Sequence, residues 1–286
     1  MPGFPIKHTV FPSKDGELNL YTHPSAKPGK RLIYVNGILN SPRDHQKTCI
    51  HLSELTGCEV VGVYNQSGTG MKSNSFPKWI AANVSNVVID LVQCAQDYLD
   101  LGTAALGMGL PYLRNAASSS LFDLLLFKGA TWPIKPICIV AHSQGNLITS
   151  NALFLYSALV HKYKVNPPAI HVFSVASPAP SWPTEAGFIS VGNYWHRYDP
   201  VTGLSANRNK RGSSNGQGAM TTYSSSHGMD TYLQDTQLVN AIRIKAGTYV
   251  PPPAVKPKDP AVMFNKVPPM PFTRPIATLK RPPFGR

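Results

Sequence analysis

The segment Ile137-Cys138-Ile139-Val140-Ala141-His142-Ser143-Gln144-Gly145-Asn146 constrains this chain more than any other. Four apolar residues read as a strand buried on both faces, and Asn146 to Tyr163 reads as a helix. The reversal between them is only a few residues long. A serine at such a strand-to-helix turn sits on strained backbone, with its hydroxyl lifted above the end of the strand. The turn closes only if the residues two before and two after the serine are small. Here they are Ala141 and Gly145, so alanine takes a place where glycine is more usual.

The flanking sequence repeats the same alternation. Strands are expected over 31–38, 59–64, 137–140, 170–175 and 188–197, and helices over 46–57, 79–101 and 146–163. The middle strands are apolar on both faces, which predicts a mostly parallel sheet in an α/β fold with helices on both sides. Two stretches stand apart. Residues 102–132 form an insertion rich in Gly, Ala and Leu, open to two readings: a lid, or a pair of core helices. Residues 251–286 hold 11 of the 27 prolines and seven Lys/Arg against one acid, and read as an extended basic tail after a domain spanning 1–250.

Charge and cysteine content exclude several classes. No stretch approaches the ~20 uninterrupted apolar residues of a membrane span, and the N-terminus lacks the apolar core of a secretory signal. The expected location is the cytoplasm, with export by a signal-independent route left open. Cys49, Cys58, Cys94 and Cys138 lack metal-ligand spacing and are expected reduced, and no metal is expected. The formal net charge of +13 favours anionic surfaces such as a membrane. Nucleic acid is not favoured as a partner, and no feature of the sequence sets an oligomeric state.

A serine on this kind of turn needs a base to take its proton and an acid to orient that base, and the chain order is serine, acid, histidine. Only His161, His171, His196 and His227 lie well beyond Ser143, and only Glu185, Asp199, Asp230, Asp235 and Asp259 are carboxylates in that region. Asp199 follows the apolar-aromatic run 189–198 and precedes Pro200, as an acid at a strand end should. His227 is the one histidine after it, whereas His196 is expected inside the preceding strand. Asp230 and Asp235 come too late in the chain to serve as the acid. Two backbone donors for a developing oxyanion are expected from Gln144, directly after the serine, and from Ile38, in the Asn36-Gly37-Ile38 loop after the first apolar strand.

Together these segments resemble the α/β-hydrolase superfamily. The resemblance rests on the elbow 141–145, the strand end Ser174-Val175-Ala176-Ser177-Pro178, Tyr198-Asp199-Pro200-Val201 and the late His227 with Tyr232-Leu233, and it covers about residues 31–233. Within the superfamily the chain is similar to class 3-type lipases and to lipase-like effectors of bacterial secretion systems. It departs from them at Ala141 and at Asn36, where many lipases have histidine. The resemblance implies a serine esterase or lipase acting on carboxylic esters, lipid or phospholipid esters included, with Ser143, Asp199 and His227 as triad and no cofactor. A thioesterase or acyltransferase with the same triad is an alternative. A non-catalytic membrane- or nucleic-acid-binding protein is another, which the ordered triad opposes. The basic loop 207–211 could contact phosphate or be simply solvated.

Overall fold

Strands that are apolar on both faces can be buried only between two layers of helices, and the chain takes this arrangement. The structure, a computed structural model, describes residues 7–8, 11–38, 40–66, 115–128, 132, 135–196, 199 and 227–251. The chain divides into two units, Met1–Tyr249 and Val250–Arg286, and every element below belongs to the first. The expected helix over 79–101, the basic loop 207–211 and the tail beyond residue 251 lie outside the described residues.

In chain order the elements are β1 (Lys7–His8), β2 (Leu18–Tyr21), β3 (Arg31–Val35), α1 (Pro42–Thr56), β4 (Glu59–Val63), α2 (Ala116–Lys128), β5 (Ile137–His142), α3 (Gly145–Tyr163), β6 (Ile170–Val175), β7 (Ile189–Tyr194), α4 (Met229–Tyr232) and α5 (Thr236–Ala246). The sheet runs β1-β2-β4-β3-β5-β6-β7. From β4 to β7 every pairing is parallel, and β2 joins β4 antiparallel. This is a mostly parallel mixed sheet of the α/β class.

The period of two along each strand divides the core. Ile137, Ile139 and Ala141 of β5 face one layer with Leu121, Leu124 and Leu125 of α2 and Leu147, Ile148 and Leu153 of α3. Cys138 and Val140 face the other, with Cys49 and Leu52 of α1 and Leu238 and Ile242 of α5. Cys49, Cys58 and Cys138 are buried free thiols.

Several boundaries differ from expectation. Helix α1 begins at Pro42 instead of residue 46, because Ser41 and Asp44 form a reciprocal capping box with proline in the first turn. Strand β7 stops at Tyr194, so His196 lies beyond the strand and not within it. Of the insertion 102–132, Ala116–Lys128 is a helix whose Leu121, Leu124 and Leu125 enter the core, while Leu126 is exposed. Among the described residues no helix is long and apolar enough to cross a membrane.

Candidate active site

Ser143 sits where β5 turns into α3, and its backbone takes φ = 55°, a left-handed value that a serine adopts only when its surroundings enforce it. Three contacts do so. The Ser143 amide donates to the Val175 carbonyl of β6, and the Asn146 side-chain amide donates to both the Ser143 and Val175 carbonyls. Gly145 brings α3 against β3 so closely that a Cβ there would collide with the Val35 carbonyl oxygen. Ala141, at the other flanking position, is fully buried on the α3 side.

His227 and Asp199 meet this serine from distant parts of the chain. Ser143 Oγ lies 2.8 Å from His227 Nε2, and His227 Nδ1 lies 2.8 Å and 3.0 Å from the two carboxylate oxygens of Asp199. A carboxylate only accepts, so Nδ1 carries the ring proton and Nε2 is left to accept the serine hydroxyl. The Asp199 side chain is fully buried, whereas 16% of the His227 side chain is exposed. The carboxylate is therefore shielded from water, while part of the imidazole remains exposed.

Three residues that sequence reasoning left without a role complete the cluster. His142 donates from Nε2 to the His227 backbone carbonyl at 2.8 Å, and the two rings lie 4.9 Å apart. Burial, with the His227 ring beside it as the next cause, lowers the His142 pKa to about 3, so this histidine stays neutral. The Tyr232 hydroxyl donates to Asp199 Oδ2 at 2.7 Å and accepts from the His196 backbone amide at 3.0 Å. The His196 ring stacks flat on the Tyr232 ring, centroids 3.8 Å apart. His142 was legible as the neighbour of the serine. Nothing in the linear sequence joins Tyr232 or His196 to Asp199.

Of the two residues expected to furnish backbone donors, Gln144 directly follows the serine and Ile38 directly follows Gly37. Gln144 is fully buried and its Oε1 accepts from Asn65 Nδ2 at 2.9 Å. On the other side Gly37 abuts Ser143 so tightly that a Cβ would run into the serine Cβ. The Gly37 carbonyl accepts from Asn36 Nδ2 at 2.9 Å and from Asn40 Nδ2 at 3.1 Å, and the Ile38 carbonyl accepts from Asn40 at 3.0 Å. Asn36 is itself fixed, since it donates to the Asn65 carbonyl and accepts from the Asn65 amide. In a trans peptide the N–H opposes the C=O. Tying the Gly37 carbonyl to the two asparagines therefore aims the Ile38 N–H away from them. Among the described residues no group of His, Cys, Asp and Glu could hold a metal.

No sequence-family profile and no curated protein matches the chain. Solved structures of similar shape include a lidless α/β serine hydrolase of Xanthomonas campestris, 14% identical over 88% of this chain and 99% of that one, with a TM-score of 0.45. An esterase of Pyrobaculum calidifontis is 12% identical over 81% of this chain and 79% of its own, with a TM-score of 0.42. An α/β serine hydrolase homologue from Coxiella burnetii is 13% identical over 79% and 89%, with a TM-score of 0.38. At these values the likeness adds no weight to any activity, and the class of the fold rests on this chain's own sheet and elbow.

Proposed function

We propose that this chain is a serine hydrolase that cleaves carboxylic esters through an acyl-Ser143 intermediate. The observation that carries the reading is the continuous line of hydrogen bonds from Ser143 Oγ through His227 to Asp199. In the proposed reaction Oγ attacks the ester carbonyl carbon as Nε2 of His227 takes the hydroxyl proton. The carbonyl π pair moves onto oxygen, where the amides of Gln144 and Ile38 receive it. Collapse breaks the bond to the alkoxy group, which leaves with the proton from Nε2. Water then attacks the acyl-serine by the same route and frees the acid. Asp199 keeps the proton on Nδ1 and balances the transient imidazolium. No step needs a cofactor.

Lipid esters, phospholipids among them, are the proposed substrate class. The resemblance of the sequence to lipases and the positive charge of the chain support that choice. The test is purified protein and Ser143→Ala, compared on esters of graded chain length, on anionic phospholipid vesicles, on acyl thioesters and for labelling by a fluorophosphonate. The wild type should be labelled and should hydrolyse esters, and Ser143→Ala should lose both, with a fall in kcat of at least about 1,000-fold. Labelling that survives the substitution would overturn the assignment of Ser143. Faster turnover of thioesters than of any ester would replace the ester reading with a thioesterase. Turnover of soluble esters alone would remove the lipid class.

A further inference from the structure

Tyr232 is fully buried, and its hydroxyl lies between two groups of fixed polarity. The His196 backbone amide, 3.0 Å away, can only donate. The Asp199 carboxylate, 2.7 Å away, only accepts when ionised. The phenolic oxygen must therefore take the amide hydrogen, and its own proton must go to Asp199 Oδ2. The direction of this hydrogen bond follows from the chemistry of its neighbours and leaves no freedom to the rotor.

The ring that carries the hydroxyl is equally constrained. The His196 ring covers one face at 3.8 Å with 2° between planes, and His142 meets it edge-on at 6.1 Å. Helix α4, which holds Tyr232, begins two residues after His227. One short segment thus reaches Asp199 twice, through the imidazole N–H and through the phenol. Burial, and after it the negative charge of Asp199, raises the Tyr232 pKa, so the phenol keeps its proton through the range in which a histidine base works.

We propose that Tyr232 is a positioning residue for this centre: its hydroxyl pins Oδ2 of Asp199 and so sets the angle and strength of the bond that Asp199 makes to His227. The proposal rests on the reading of Ser143, His227 and Asp199 as the reacting set. A donor on Oδ2 withdraws electron density from the carboxylate and weakens its pull on the Nδ1 proton. It also prevents the carboxylate from rotating to an angle at which the imidazole no longer faces Ser143. The charged and titratable groups around the pair are few among the described residues: His142 and His196 on the flanking rings, and Asp230 of α4, which pairs with Lys47 and His51 of α1. The phenol shares Oδ2 with the His227 Nδ1–H, so the two donors bear on the same carboxylate oxygen.

The experiment uses the full chain, Tyr232→Phe, and protein carrying 3-fluorotyrosine at position 232. Phenylalanine keeps the stacking and removes the donor; fluorotyrosine keeps both and makes the donor more acidic. The first readout is the proton NMR resonance of the His227 Nδ1–H. It should move downfield in Tyr232→Phe, where Asp199 pulls harder, and upfield with fluorotyrosine. The second is ester hydrolysis, where Tyr232→Phe should lower kcat roughly tenfold and leave KM within about twofold. If the phenylalanine variant does not fold, the fluorotyrosine protein carries the test. A resonance that stays in place in every folded variant would overturn the proposal, as would an unchanged kcat in Tyr232→Phe. The resonance is read without any substrate. Shifts of the stated signs in a protein that cleaves no ester would uphold the positioning role and remove the ester reading instead.

Discussion

At the scale of single residues, the line from Ser143 to Asp199 depends on contacts that fix backbone as much as side chain. His227 shows this most directly. Its ring is held between Ser143 and Asp199, and its carbonyl is held by His142, whose Nε2–H donates at 2.8 Å. Because burial lowers the His142 pKa to about 3, this donor stays neutral and in the same tautomer at any pH where the site can work. His142→Ala is therefore expected to lower kcat roughly five- to tenfold, the usual worth of one neutral hydrogen bond, while KM moves little. Steady-state kinetics of the purified variant check this, and an unaltered kcat would show that the His227 loop needs no such anchor. Ser143, Asp199 and His227 were legible because a strand-to-helix serine fixes the order of its partners along the chain, and few candidates satisfied that order. Tyr232 and His196 were not. Their role lies in contacts across 33 and 36 positions of sequence, and composition, spacing and periodicity carry no trace of those.

At the scale of elements, the strained serine is maintained by the packing of α3 on β3. Gly145 is the contact point, because the Val35 and Asn36 carbonyl oxygens occupy the space a side chain would need. Both obstacles are backbone and cannot swing aside. Gly145→Ala should cost ~3 kcal/mol of stability, at the upper end for overpacking, and should displace the first turn of α3 and with it the elbow. Urea unfolding measures the first effect and fluorophosphonate labelling rate the second. A variant as stable and as reactive as the wild type would show that α3 can shift without disturbing Ser143. The alternation of strands and helices was readable because buried parallel strands have no polar face to confuse the period. The first turn of α1 carried a usable signal as well, the Ser41–Asp44 capping box with Pro42 after it. Strand β2 offered little, since Leu18-Asn19-Leu20-Tyr21 is four residues long and its antiparallel place beside β4 is decided by pairings such as Leu18 with Val63, far along the chain.

At the scale of the whole molecule, the two helical layers hold histidines whose charged form is disfavoured where they lie. His45 is buried among the rings of Tyr21, Tyr34 and Tyr64, and burial lowers its pKa to about 3. His142 is lowered to about 3 by burial and by the nearby His227. His171 is lowered to about 4 by burial and, after it, by the positive charge of Lys245. In the unfolded chain each returns to the ordinary value of about 6.5. Below that pH the unfolded state binds protons that the folded state refuses, so stability is complete above about pH 6.5 and is lost as pH falls toward the folded values. Each histidine contributes a slope of at most about 1.4 kcal/mol per pH unit. Between pH 7 and pH 5, where carboxylates barely titrate, the loss is ~2 kcal/mol per residue. Three such losses together rival the total stability of about 5–15 kcal/mol of an ordinary domain. The protein is therefore expected to unfold near pH 5 under urea concentrations it tolerates easily at pH 7.5. Urea titrations followed by tryptophan fluorescence at pH 7.5, 6.5, 5.5 and 5.0 check the slope. His171→Gln, which keeps a polar partner for Ser190, should flatten it by about one third. A midpoint independent of pH over this range would mean that these histidines accept protons in the folded state, and that the core around them opens more readily than its packing implies.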